Sequence, residues 1–300
     1  MNTKKTLTSI ALSSLLSMGT IYAKESQTAQ SETQKSVQKS IDQKTQDIAK
    51  DKRDSLENDA VIALSKTAEA LNALDNNDSK QALSLLSETI GKLEVVVSAK
   101  PELALAPVLV NISAYDIVID LPSILEAQRV ATHLLIDGEF QQARKIIEPI
   151  RSEMVVTTTS LPLATYPDAI KAVVPLIKDG KNEEAKQALQ TVISTVVVDE
   201  EVIPLPVLRA QMLLDIAETK AKIKRSKIEQ GELDELYGAA IYQLALAEAM
   251  GYSDAQTYAT FATEIKKIQA ETSNKKVSTG FFDKIKEMLN GFGSSNSSDS

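Results

Sequence analysis

Apolar residues recur at helical spacing along most of the chain, and one arrangement occurs three times. The stretches DGEFQQARKIIEPI around Ala143 and DGKNEEAKQALQTV around Ala185 align by their alanines, and a fainter copy, NDSKQALSLLSETI, aligns at Ala82. Gly138 and Gly180 can each end a first helix, and the apolar residue four positions after each alanine faces the same side of a second helix. The pattern predicts a body of repeated helical hairpins.

A run of β-branched residues that ends in prolines follows the second helix of each hairpin. The runs lead from Val95-Val96-Val97 to Pro107, from Val155-Val156 to Leu161-Pro162-Leu163, and from Val196-Val197-Val198 to Ile203-Pro204-Leu205-Pro206. Such residues favour extended backbone. We expect extended connectors between the hairpins; a short sheet is the alternative, although prolines argue against central strands.

Longer helical patterns follow the third connector. They run from Val207 to about Glu229, from Leu233 to Met250 after a turn at Gly231, and from a cap at Ser253 to about Ala270. A short amphipathic segment, Phe281 to Leu289, comes last. The expected fold class is all-α: a helical-hairpin repeat body with proline-ended connectors, followed by longer C-terminal helices.

The first 23 residues have the three-part layout of a secretory signal. Lys4 and Lys5 form a basic start, Leu7 to Met18 is a short apolar stretch, and Ala23 is a small residue at the end. We expect cleavage after Ala23 and export, most simply to a bacterial periplasm; an uncleaved anchor is the alternative. Loss of the two lysines takes the net charge from -8 to -10. We expect no transmembrane segment in the mature chain.

Composition also predicts the remaining boundaries. Residues 24–55 hold few apolar side chains, so we expect a polar, flexible leader with a thin helical periodicity at Val37, Ile41 and Ile48. Residues 56–272 are expected to form one all-helical domain. Residues 273–300 are expected to form the short amphipathic segment and a disordered tail.

The absence of certain residue types excludes several kinds of chemistry. The chain has no cysteine, no tryptophan and a single histidine, which excludes thiol nucleophiles, disulfides, iron–sulfur clusters and cysteine-bound zinc. The net negative charge argues against a dedicated nucleic-acid binder. We therefore predict no catalytic residue, cofactor or metal site. A hydrolase that relies on carboxylates alone is the remaining enzymatic hypothesis.

Several short motifs occur together between Ser160 and Leu214. They are Leu161-Pro162-Leu163, Tyr166-Pro167, Ala169-Ile170, Gly180-Lys181, Glu184-Ala185 and Ile203-Pro204-Leu205-Pro206. This combination resembles the YfdX family, and the likeness extends more loosely over residues 58–270. The resemblance implies a secreted, all-helical and often oligomeric protein that is associated with acid and envelope stress. It implies no established catalysis, and small-molecule binding has been proposed for the family.

The proline-ended connectors carry the candidate binding face. Its residues are Leu161, Pro162, Leu163, Tyr166, Pro167, Ile203, Pro204 and Pro206. Because the connectors recur with the hairpins, we expect them to line one face of the stack together. The alternative is that they are purely structural crossovers, a role for which prolines and β-branched residues suffice.

Other conspicuous residues have a simpler interpretation beside the functional one. His133 lies about 130° from the centre of the apolar stripe of its helix, so we expect a solvated histidine and not a ligand or a general base. The remaining candidates are the acidic run Asp199-Glu200-Glu201, the basic run Lys220, Lys222, Lys224, Arg225 and Lys227, and the pair Phe281-Phe282. The two charged runs are expected to be solvated. The phenylalanines could contact a membrane or a partner, or dock on their own domain.

The leading functional hypothesis is an exported, non-enzymatic protein that acts through adaptor-like or chaperone-like contacts with other proteins. The spacing of Gly138, Phe140, Ala143 and Ile147 supports it, because it locally resembles a tetratricopeptide hairpin, a module that implies peptide or protein binding. A small-molecule-binding protein with a pocket between helices is the alternative. We expect a homo-oligomer whose partner or ligand the sequence does not identify, and an association state that changes on acidification.

Overall fold

A computed structural model describes residues 32–252, 254–273 and 282–292, which form eleven helices and three strands. The helices are α1 (Glu32–Asp54), α2 (Asn58–Asp75), α3 (Ser79–Ala99), α4 (Leu121–Ile136), α5 (Phe140–Ile147), α6 (Tyr166–Lys178), α7 (Asn182–Ser194), α8 (Leu205–Ala221), α9 (Lys227–Ala249), α10 (Ala255–Thr272) and α11 (Asp283–Phe292). The strands are β1 (Leu105–Asp116), β2 (Ser152–Pro162) and β3 (Val197–Pro204). The predicted, mainly helical fold class is confirmed. Residues 1–23, on which the signal prediction rests, lie outside the described residues.

The proline-ended connectors form a sheet, which corrects the expectation of unpaired segments. The sheet has three strands in the order β1-β2-β3. Pro162 and Pro204 are the last residues of their strands, and Pro107 lies near the start of an edge strand, so none of the three interrupts a ladder between central strands. The first valine run, residues 95–97, lies instead in α3.

The described chain divides into two compact units, whereas the sequence predicts one domain over residues 56–272. Unit 1 contains residues 32–44, 114–154 and the described residues from 202 onward; unit 2 contains residues 45–113 and 155–201. The division does not follow the order of the sequence, because each strand contributes residues to both units.

Unit 2 contains two of the three predicted hairpins, α2–α3 and α6–α7. The turn before α3 is capped by Asp78, whose carboxylate accepts a hydrogen bond from the Gln81 backbone N–H at 2.9 Å. Gly180 ends α6 with a φ of +73°, a conformation that favours glycine. Ala82 and Ala185 are fully buried where the helices pack. The apolar pattern therefore identified these elements and their turns correctly.

Unit 1 is built around α8, α9 and α10, which pack side by side. Val37 and Ile41 of α1 are buried in this core, so part of the segment predicted to be a flexible leader is an ordered helix. The short C-terminal helix α11 also packs here, with Phe282 stacked on Tyr237 at 6.2 Å between ring centroids. Phe282 thus docks on its own unit, which was one of the two expectations; Phe281 lies outside the described residues.

The break between α8 and α9 falls at residues 222–226 and not at Gly231. Ser226 and Glu229 form a reciprocal capping box that starts α9. Arg225 is buried in the break and donates from its guanidinium to the carbonyl oxygen of Ala221 at 2.9 Å. The basic run is therefore not a uniform solvated helix face, because one of its members belongs to the interior.

Candidate protein-binding surface

The structure places the predicted binding face mostly inside the protein. Leu161, Leu163 and Tyr166 belong to the hydrophobic core of unit 2. Pro167, Pro204 and Pro206 are also buried, and Pro162 and Ile203 are half-buried. The five residues of the face between positions 161 and 167 lie in unit 2, and the three between positions 203 and 206 lie in unit 1. These side chains form packed interior and not the open face that the repeat pattern predicted.

Tyr166 is a core residue whose chemistry follows from its burial. Its side chain is fully buried at the start of α6. Burial raises the pKa of the Tyr166 phenol because the phenolate would lose its hydration. The hydroxyl therefore stays protonated at neutral pH, and Tyr166 has the properties of a packing residue.

A pocket of about 320 Å³ lies in unit 2 beside this core. It is lined by Glu94, Val97, Ser98, Leu163, Ala164, Pro167, Asp168 and Lys171. The Lys171 ammonium group lies 3.3 Å from the Glu94 carboxylate and 3.7 Å from that of Asp168. The volume is at the lower end of those typical of small-ligand sites. Leu163 and Pro167 are thus the two predicted residues that line a cavity.

The third hairpin, α4–α5, lies in unit 1 and is formed by local capping. The Asp120 carboxylate accepts a hydrogen bond from the Ser123 backbone N–H at 2.8 Å and caps α4, which begins at Leu121. Gly138 turns the chain toward α5 with a φ of +78°. Ala143 is fully buried at the crossing of the two helices.

The first half of α4 anchors the hairpin to α9. Ile124 is fully buried in a small apolar cluster with Leu246 and Ala249. The Gln128 side-chain amide donates to the Ala249 carbonyl oxygen at 2.5 Å. The Leu121 backbone N–H donates to the Tyr242 hydroxyl at 3.2 Å. One half of the hairpin is therefore held by both apolar and polar contacts.

The hairpin also exposes several large apolar side chains, most of them near the turn at Gly138. Ile136 is 77% exposed and Phe140 is 63% exposed, on either side of the turn at Gly138. Leu125, Leu135 and Ile147 are exposed as well. Phe140 and Ile147 are seven residues apart and therefore lie on one face of α5. Single exposed apolar residues are ordinary, but several on one hairpin make it a candidate binding surface. We call these five residues the hairpin surface.

The three repeat copies differ in how they cover the same position. Leu86 and Leu189, four residues after the alanines of the two hairpins in unit 2, are fully buried. The equivalent residue of the third copy, Ile147, is 47% exposed. Other parts of the described chain cover this position in the two hairpins of unit 2 and leave it partly exposed in the third hairpin. Sequence alignment superposes the three residues and cannot reveal this difference, because burial depends on the elements that pack against each helix.

Polar groups on the same hairpin satisfy one another. The Arg129 guanidinium pairs with Glu126 at 2.6 Å, and Arg144 pairs with Glu148 at 3.2 Å. His133 is exposed, and its Nδ1 lies 2.8 Å from the Arg129 carbonyl oxygen. The expected solvated position of His133 is confirmed. Because these four charged side chains pair with one another, the exposed apolar side chains are the groups on the hairpin that a partner could cover.

A cluster of polar side chains in unit 1 was not predicted from the sequence. The Asp116 carboxylate accepts hydrogen bonds from the Ser152 hydroxyl at 2.6 Å and from the Arg209 guanidinium at 2.5 Å. The Tyr252 hydroxyl accepts from the Ser152 backbone N–H at 3.0 Å and donates to Glu153 at 2.7 Å. Ser152 thus donates to a carboxylate that is also paired with Arg209. The cluster holds the ends of β1 and β2 against α8.

The acidic run lies on the edge strand β3. Glu201 pairs with Lys52, and the Thr157 hydroxyl donates to Glu200 at 3.4 Å. Within the described ranges, no group of three or more histidine or acidic side chains has a geometry that could hold a metal ion. No helix in the described part of the chain is both long enough and apolar enough to cross a bilayer.

Comparison with known proteins yields a family match and a solved structure of low similarity. A family model described as YfdX protein matches residues 63–202. A solved structure of YfdX from Salmonella Typhi has 14% sequence identity and a TM-score of 0.35, and the match covers 50% of this chain and 93% of that chain. No curated protein matches the chain.

Proposed function

Residues 63–202 match the family model described as YfdX protein, and from this premise we propose that the chain is a YfdX-like, exported, non-enzymatic protein that binds other proteins. The hairpin surface is the proposed point of contact. Export rests on the signal-like layout of the first residues, and the link to acid and envelope stress rests on the family resemblance. The binding role is adaptor-like or chaperone-like.

One observation carries this proposal. The position that Leu86 and Leu189 fill in two hairpins is held in the third by Ile147, which the described chain leaves half uncovered beside Phe140. Covering an apolar side chain of this size is favourable by about 1.5–3 kcal/mol. A partner that covers several such residues therefore gains free energy that offsets part of the cost of association.

The chemistry of the surface also indicates the kind of partner. An apolar stripe on a helix binds an amphipathic helix or an exposed apolar segment, since these present matching stripes of aliphatic and aromatic residues. Two of the ion pairs on the hairpin, Arg129 with Glu126 and Arg144 with Glu148, are formed between near neighbours on the same helix or at its end. We therefore propose that exposed apolar segments of other envelope proteins are the targets.

Binding to a permanently unfolded protein, such as reduced and carboxymethylated α-lactalbumin, tests this function. The double variant Ile136→Lys/Phe140→Lys should weaken binding by about tenfold or more, because two apolar contacts are lost and two charges are introduced. The matched control is Ile228→Lys, since Ile228 is equally exposed at 77% and lies on α9, away from the hairpin surface. Equal affinities for the wild type and the double variant would contradict the proposal.

A second candidate function, small-molecule binding, is favoured by the pocket that Leu163, Pro167 and Lys171 line. A ligand that binds only the folded protein must raise its melting temperature. Thermal-shift screening should find compounds that stabilise the wild type and fail to stabilise Ala164→Trp, in which the pocket is filled. A library that produces no shift at high ligand concentration would eliminate this candidate.

A further inference from the structure

An open cavity of about 460 Å³ lies in unit 1 at the end of α5. Its lining comes from the end of β1 and from the segment between α5 and β2, namely Tyr115, Asp116, Ile117, Glu148, Pro149 and Arg151. Glu148 directly follows Ile147, a member of the hairpin surface. The cavity therefore borders the surface that is proposed to bind apolar segments.

Backbone hydrogen bonds fix this segment beside the hairpin. The Ile150 N–H donates to the Ile147 carbonyl oxygen at 2.9 Å and closes a turn at the end of α5. The Ile117 N–H donates to the Arg151 carbonyl oxygen at 3.2 Å, which holds Arg151 next to the end of β1. Arg151 thus lies one residue beyond a turn that starts in the hairpin surface.

The two carboxylates that line the cavity have cationic partners of their own. Asp116 pairs with Arg209 at 2.5 Å, and Glu148 pairs with Arg144 at 3.2 Å. Among the described residues, no carboxylate lies within ion-pair distance of Arg151, which is half-buried. Arg151 is therefore the cationic group of the cavity that can receive an anion from outside the described chain.

The Arg151 side chain is held in place by an aromatic ring. The Cζ atom of its guanidinium lies 3.3 Å from the centroid of the Tyr115 ring. A guanidinium that lies flat on a ring keeps its N–H donors at the edge of the stack, where they can reach a carboxylate. The contact also restricts the side chain, so less conformational entropy is lost when an anion binds. Tyr115 is thus a positioning residue for Arg151.

We propose that Arg151 binds a carboxylate of the same partner segment whose apolar residues cover the hairpin surface, an inference that rests on the proposed function. A carboxylate fits because its two oxygens match the paired donors of a guanidinium. Because the cavity borders Ile147, the acidic group lies within about one helical turn of the partner residue that covers Ile147. It is an aspartate or glutamate side chain or the C-terminal carboxylate of the partner.

Synthetic peptides test this preference on the full chain. Each peptide has about 15 residues of leucine, alanine and glutamine with the leucines on one helical face, and an uncharged dye at its N-terminus. The first has one glutamate a turn beyond the last leucine and an amidated C-terminus. The second has glutamine in place of this glutamate, and the third is the second with a free C-terminal carboxylate at that distance.

Fluorescence anisotropy should show that one of the two carboxylate peptides binds the wild type about three- to tenfold more tightly than the uncharged second peptide. The tighter of the two identifies the source of the carboxylate, a side chain or a chain end. The expected factor is modest because the cavity is open to solvent, which weakens an ion pair.

Variants assign the preference to Arg151. Arg151→Gln should remove the preference and leave the affinity for the uncharged peptide unchanged. Arg151→Lys keeps the charge without the paired donors and should retain only part of the preference. Arg129→Gln is the matched control, because it removes the same charge from the hairpin at a position outside the cavity, and it should retain the full preference. Circular dichroism establishes that each variant is folded.

The peptides separate the two claims. Binding of the uncharged peptide tests the proposed function, and the preference for a carboxylate tests the site at Arg151. Equal affinity of the wild type for all three peptides, a preference that persists in Arg151→Gln, or an equal loss of preference in Arg129→Gln would each overturn the carboxylate site and leave the hairpin surface standing. A wild type that binds none of the peptides would contradict both.

Discussion

Arg225 connects the ends of two helices in unit 1. Its guanidinium donates to the carbonyl oxygens of Lys220 at 3.0 Å and Ile223 at 2.8 Å, at the end of α8, and to that of Thr272 at 3.0 Å, at the end of α10. Carbonyl groups at a helix end lack partners within their own helix. One planar group with several donors satisfies them, which lysine cannot do. This single side chain explains why α8 ends where it does.

Replacement of Arg225 should therefore destabilise unit 1. Arg225→Met leaves buried carbonyl groups without donors and should lower the free energy of unfolding by about 2–3 kcal/mol. Lys224→Met is the control, because the neighbouring Lys224 is exposed, and it should change the value by less than about 0.5 kcal/mol. Urea denaturation followed by circular dichroism measures both. A loss no larger than that of the control would show that solvent replaces these bonds at little cost.

Among the elements, α11 combines apolar docking with ion pairs. Phe282, Ile285 and Leu289 are buried in the core of unit 1. Lys286 pairs with Asp215 at 2.8 Å and also with Glu218. Lys284 of α11 and Lys267 of α10 both pair with Glu264, at 2.9 Å and 3.7 Å. Lysine partners on α11 thus reach carboxylates on both α8 and α10.

Acid should loosen α11 selectively. Lys286, with a smaller contribution from Lys222, lowers the pKa of Glu218 below its ordinary value of 4.5, and Lys284 and Lys267 do the same for Glu264. A carboxylate with a lowered pKa stabilises the folded state above its ordinary pKa, and that contribution is lost as the pH falls through the lowered value. The pKa of Lys286 is raised, mainly by Asp215, so its charge persists throughout the acidic range.

Hydrogen exchange along α11 measures this effect. Protection of its amides should decrease as the pH falls below about 4.5, once the intrinsic pH dependence of exchange is corrected for. In Glu218→Gln the amides of α11 should be less protected from exchange at neutral pH. Their protection should then decrease less on acidification than it does in the wild type. Protection that is independent of pH in the wild type would mean that the apolar contacts alone hold α11.

Local sequence patterns predicted the hairpins because each depends on a few neighbouring residues. Gly180 and Asp78 determine the turns of their hairpins through local conformation and capping. Ala185 is small enough to let the two helices of its hairpin pack closely. The sheet was only the alternative prediction because Pro162 and Pro204 argue against central strands; both lie at strand ends, where proline is tolerated, a placement that composition does not reveal. The α8–α9 break was misplaced because Arg225 acts through contacts with a distant helix.

The candidate site could not be predicted for the same physical reason. Ile147 and Leu189 occupy aligned positions in two copies of one apolar pattern, and the elements packed around them distinguish a core residue from a surface one. Conversely, Leu161 and Tyr166 look like a recurring surface motif in the sequence and are core residues in the structure. Both corrections depend on long-range packing.

For the whole molecule, the central claim is that the hairpin surface, which lies in unit 1, binds apolar segments of other proteins. The chain has 41 acidic and 33 basic residues, so its net charge falls in magnitude as carboxylates are protonated below about pH 5. Long-range repulsion between copies and partners weakens with it, which favours association in acid. We therefore expect acid to favour contacts through a surface that is already apolar at neutral pH.

Hydrogen exchange with mass spectrometry, with and without the unfolded α-lactalbumin, tests this claim most directly because it locates the contact. The account predicts that added client protects amides of α4 and α5 near the turn at Gly138, and that Ile136→Lys/Phe140→Lys abolishes this protection while Ile228→Lys preserves it. Protection confined to other elements, such as the pocket between α3 and α6, or no protection under conditions in which the client is bound, would contradict it.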